Sequence, residues 1–185
     1  MSTKEQFIIK LRKARTQHLK WVNQIKLLVS GFSVDKATIP VNQSESPFGA
    51  WLYEEAMVFA TSNSKNVLNE IDTLHTSCFE HYFKIFHTLD GKGEKGLLSS
   101  ILGSKKPSAN ELMLAQKFYE ELVKTSDELI NRLRLFESQL LATSETKFEE
   151  LVLAPEVPVD EIELRIEPQG KSNVQKMYRG QPVLD

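Results

Sequence analysis

Three stretches of this chain repeat apolar residues at intervals of three and four, and that periodicity constrains the fold more than any other feature. In the first, Phe7, Leu11, Ala14, Trp21, Ile25 and Leu28 fall on one stripe; in another, Leu68, Ile71, Cys78, Tyr82, Ile85 and Leu89 do so, with His75 among them. A further seam runs Leu112, Ala115, Tyr119, Leu122, Ser126, Leu129, Leu133, Phe136 and Leu140. Such spacing places side chains on one helix face, and each stretch is far too long for a strand. Three long helices are therefore predicted.

The punctuation agrees. Gly31 suits the end of the first helix, and Asp90-Gly91 the end of the third. Pro47 suits a helix start, and Trp51, Leu52, Tyr53, Ala56, Met57 and Phe59 predict a short second helix that the run Thr61-Ser62-Asn63-Ser64 ends or recaps. Ser108-Ala-Asn-Glu111 has the pattern of a capping box opening the fourth helix. Residues 32–46 and 91–107 read as connectors, the latter carrying the apolar pairs Leu97-Leu98 and Ile101-Leu102. Gly91-Lys-Gly-Glu-Lys-Gly96 matches a dinucleotide-binding pattern in letters only, because it follows a helix instead of a strand. Three long helices and one short one have their simplest solution as an all-α, antiparallel four-helix bundle over residues 1–145. Beyond it, Pro155, Pro158, Pro168 and Pro182 exclude a continuing helix, while Ile162, Leu164 and Ile166 alternate with charged residues. Residues 146–185 are expected to form an acidic tail, extended or paired as a short hairpin with residues 174–178.

Composition sets the outer limits on function. Twenty-three Lys and Arg against 25 Asp and Glu give a formal net charge of −2, which speaks against a dedicated nucleic-acid binder. No apolar run approaches the roughly 18 residues that a membrane-spanning helix requires. One cysteine forms no internal disulfide, no signal-peptide pattern opens the chain, and a cytoplasmic location is expected. No nucleophile–base, paired-carboxylate, phosphate-loop or CxxC arrangement stands in a suitable context, so a non-enzyme is expected.

Chemistry concentrates on two helices. His18 lies on the core stripe of the first, where an ionisable side chain needs a partner. His75 and Cys78 share one face of the third, a spacing that aims both at the bundle interior. Imidazole and thiolate are the usual zinc donors, so His18, His75 and Cys78, with water in the fourth place, form a candidate metal site.

Three motifs resemble the chemoreceptor zinc-binding domain family. They are His18-Leu-Lys-Trp21, Ser46-Pro-Phe-Gly-Ala-Trp51 with Gly49 and Trp51 in the family's pattern, and His75 on the following long helix. The resemblance spans roughly residues 7–140. It implies a sensory or regulatory module, often attached to chemoreceptors or diguanylate cyclases, whose zinc is held by three histidines and one cysteine. Of those positions His18 and His75 match, whereas Ser46 stands in place of the cysteine and Phe79 in place of the third histidine. Two readings of function follow. One is a regulatory domain that binds zinc at a modified site and signals through helix packing. The other is a metal-free interaction or scaffold bundle that self-associates, for instance as a homodimer, or binds a protein partner through its tail.

Overall fold

The computed structural model describes residues 1–32, 34, 38–61, 63–90, 107–153, 177–178 and 181–182. The chain divides into two compact units, Met1–Ala154 and Pro155–Asp185.

Among the described residues the first unit is all-helical. Helix α1 spans Thr3–Val29, α2 Pro47–Trp51, α3 Lys65–Asp90, α4 Ala109–Ala142 and α5 Glu145–Leu153. Each boundary has a local cause. Ser2 and Glu5 form a capping box at the start of α1, and Ser108 and Glu111 form the expected one at α4, satisfying backbone N–H groups that lack intrahelical partners. Gly31, at φ 79°, ends α1: its N–H donates to the carbonyl of Leu28 while that of Phe32 donates to the carbonyl of Leu27. This paired closure requires a left-handed residue, which glycine supplies at least cost. Ser46 caps α2, and Pro47 occupies the first turn, where its missing N–H is no loss.

The expected short second helix is a composite. After five residues of α-helix the chain widens into a π-helical turn, Leu52–Ala56, then tightens into a 3-10 turn, Met57–Thr61. The changing pitch keeps Trp51, Leu52, Ala56 and Phe59 all buried.

Helix directions follow from which residues meet. Lys4 at the start of α1 donates to the carbonyls of Leu141 and Thr143, Arg12 pairs with Glu137, and His18 meets Ser126, so α1 and α4 are antiparallel. Arg132 pairs with Glu70 while His81 faces Glu121, so α3 and α4 are antiparallel as well. Close backbone approaches join α3 chiefly to α4, and α1 to α4 and α2. Helices α1 and α3 meet through large side chains instead, with Trp21 stacked on Phe79 at 4.7 Å between ring centroids.

The predicted seams are the core: every α1 and α3 stripe residue named above is buried, as is all of the α4 seam except the partly buried Leu112. Glu137, the carboxylate shared by Arg12 at 2.7 Å and Arg15 at 3.0 Å, is also buried.

The boundary expected at residue 145 lies further on. Helix α5 belongs to the first unit because fully buried Phe148 packs edge-on against Phe7 at 5.7 Å and beside Phe59 at 5.0 Å. In the second unit, β1 (Met177–Tyr178) pairs antiparallel with β2 (Gln181–Pro182), Met177 opposite Pro182. The segment expected to pair with residues 174–178, residues 162–166, lies outside the described residues, as do Gly91 to Gly96 and the Leu97-Leu98 and Ile101-Leu102 pairs.

Replacing Phe148 by Ala removes a fully buried ring packed against those of Phe7 and Phe59. We expect a loss of about 3–5 kcal/mol in urea unfolding, with the helical signal retained at low denaturant.

Candidate functional site: a buried histidine pair

Four helical segments converge on two histidines. His18 of α1 is 2% exposed and His75 of α3 is 0% exposed, with ring centroids 6.4 Å apart. From α2, Phe48 lies edge-on to His75 at 4.8 Å and against His18 at 5.4 Å. From α4, Ser126 reaches in to share a 2.9 Å hydrogen bond between its Oγ and His18 Nε2. Phe79, one turn beyond His75, closes the other side at 5.2 Å.

The two imidazoles differ in their bonding. His18 has Ser126, whereas both ring nitrogens of His75 are buried without a hydrogen-bond partner among the described residues. A neutral imidazole carries one donor and one acceptor, so each unmet group costs about 1–3 kcal/mol relative to water. Burial pulls the pKa of His18 down to about 3, with repulsion from His75 adding to the effect, and pulls that of His75 down to about 4. Both rings are therefore neutral at physiological pH, and their lone pairs are free of protons.

Cys78 lies one helical turn beyond His75, buried and free of any disulfide, and burial pushes its thiol up to about 12. It is a protonated, apolar-like group at neutral pH. Among the described residues no three His, Cys, Asp or Glu side chains group as a metal ion would require. The structure thus brings His18 and His75 together and leaves Cys78 outside the pair. His87 and Glu80 are exposed and His81 is partly exposed.

The positions that carry the family resemblance each have a structural role. Ser46 Oγ accepts from the N–H of Gly49 at 2.9 Å and donates to the carbonyl of Gln43 at 2.8 Å, so both bonding directions of the hydroxyl are committed to the α2 cap. Gly49 is dictated by crowding: a Cβ there would lie 1.9 Å from the Gln43 carbonyl oxygen. Phe79 is held by its stack on Trp21.

Sequence patterning alone did not single out the supports of the pair. Ser126 was visible only as a polar residue on an apolar seam, which is a signal in its own right. A polar clip beside the pair had no sequence signature. Gln43 donates to both Tyr53 Oη and Thr76 Oγ1, and Tyr53 Oη donates to Asp72 at 2.7 Å. This clip ties the α1–α2 connector and the π-helical turn to the stretch of α3 that carries His75.

No protein-family model matches this chain, and no curated protein or solved structure is significantly similar to it.

Two predictions follow from the site. Replacing Gly49 by Ala forces the connector away from α2, and we expect about 2–4 kcal/mol of destabilisation in urea melts. The second concerns acid. Both histidines have folded pKa values below the unfolded value of 6.5, so the unfolded chain binds more protons as pH drops. Their contribution is complete above pH 6.5 and is lost as pH falls towards about 4 and then about 3. The expected loss is on the order of a few kcal/mol. Replacing His75 with Leu should flatten the part of the stability profile that lies above the carboxylate range.

Proposed function

We propose that this chain is a non-enzymatic regulatory domain, a four-helix bundle of the chemoreceptor zinc-binding type, in which the state of the His18–His75 pair sets how the helices pack. The observation that carries this reading is the bonding of His75, which is fully buried, with neither nitrogen partnered among the described residues, at a point where α1, α2, α3 and α4 meet. A species that satisfies His75 stabilises one packing over another, and it can shift the equilibrium only by its difference in affinity for the two. The fourth helical element of the bundle is the composite segment from α2 to the 3-10 turn. Its clip to Asp72 and Thr76 is the route by which a change at His75 reaches the connector.

The family's four-donor zinc site does not fit the residues present. Ser46 has its hydroxyl committed to the cap, Phe79 offers no donor, and the Cys78 thiol is protonated at neutral pH. We therefore favour a metal-free module that works through packing and protein contacts over one that depends on bound zinc.

Elemental mass spectrometry on untagged wild type and on His75→Ala, paired with thermal melts in chelator, tests this directly. The expected result is no stoichiometric metal and an unchanged melting temperature in chelator. Near-stoichiometric zinc in the wild type, lost in His75→Ala, would replace the metal-free reading with a rebuilt zinc site.

A further inference from the structure

Helix α1 presents to solvent a face that none of the fold's packing explains. Residues 6–32 hold six Lys or Arg and no Asp or Glu. Ile9, Lys13, Thr16, Lys20, Asn23 and Leu27 recur at threes and fours along the side opposite the core stripe, and all are exposed. Leu19 and Lys26 flank this line. Three of the cations are used within the fold, since Lys10 pairs with Glu55, and Arg12 and Arg15 pair with Glu137. Lys13, Lys20 and Lys26 have no carboxylate partner among the described residues.

Three large apolar side chains sit among these lysines, with Ile9 51%, Leu19 42% and Leu27 47% exposed, and Phe32, 65% exposed, follows just past the end of the helix. Cations interspersed with aliphatic side chains along one helix face match the chemistry of an anionic lipid surface, where ammonium groups meet headgroups and apolar tips enter the interface. The shape agrees. A partner peptide needs a groove, and the concave surfaces found here lie elsewhere, one between α3 and α4 lined by Asn69, Glu70 and Arg132 and one beside Val41, Tyr53 and Phe83.

We propose that the outward face of α1 docks peripherally on anionic membranes, with Lys13, Lys20 and Lys26 meeting the headgroups and Ile9, Leu19, Leu27 and Phe32 entering the interface. The apolar stripe of α1 is already spent on the core, so the attachment is chiefly electrostatic and reversible by salt. It is independent of the histidine pair and stands or falls separately.

The test is flotation of the full chain with vesicles of phosphatidylcholine alone or mixed with phosphatidylglycerol, at low and high salt. Wild type is expected to float with the anionic vesicles at low salt and with neither at high salt. The variant Lys13→Glu/Lys20→Glu/Lys26→Glu should lose about a hundred-fold in binding, from roughly five-fold per lysine near an anionic surface. A control with the same change in net charge on other faces, Lys84→Glu/Lys117→Glu/Lys147→Glu, should lose far less, and circular dichroism should find all three proteins equally helical. Failure of wild type to float, or equal loss in the control, overturns the proposal. So does an α1 variant that alters oligomeric state with no vesicle binding in the wild type, since the face would then serve an acidic protein surface.

Discussion

The stack of Trp21 on Phe79 is the contact on which the arrangement of α1 against α3 depends. Helices α3 and α4 are joined by close backbone approach along their length, and α1 leans on α4 through Glu137 and Ser126. Between α1 and α3 the distance is bridged by rings: Trp21 on Phe79, Trp21 edge-on to Tyr82 at 5.5 Å, and His18 facing His75. Large flat side chains make a wide helix spacing stable because each buries much apolar area while filling the gap without voids. A smaller residue at 79 would open that space and bring the two histidines into a different relation. The packing that holds the bundle and the chemistry at its centre are therefore one problem for this sequence.

Much of the helical architecture was legible from pattern alone. The three seams marked the buried faces of α1, α3 and α4 because a periodicity of threes and fours sustained over many turns has few other physical solutions. Gly31, Pro47 and the Ser108–Glu111 box marked ends because each meets a specific unsatisfied backbone group or backbone angle. The changes of pitch after α2 left no trace, since a π-helical turn and a 3-10 turn arise from how buried Leu52, Ala56 and Phe59 fit their neighbours. Phe148 was missed for a related reason. A single apolar residue in a charged segment has no period, and its value comes from Phe7 and Phe59, which are distant in sequence.

The site was half legible. His18 and His75 stood out as ionisable groups on apolar stripes, and the fold brings them together. Cys78 shares the helix face of His75 in projection, yet sharing a face does not decide which space a side chain enters. That depends on the position of the opposing helix, which spacing on one helix does not encode. The partner that His18 finds, Ser126, comes from a third helix more than a hundred residues away. A tertiary hydrogen bond of this kind is invisible until the crossing of helices is known.

The close approach of the connector to α2 has a consequence for how this chain can vary in length. With the Gln43 carbonyl lying where a Cβ on Gly49 would be, and Ser46 bonded to both sides of the turn, the stretch from 43 to 49 is a fixed-length loop. An inserted or deleted residue there would rotate Phe48 off the histidines.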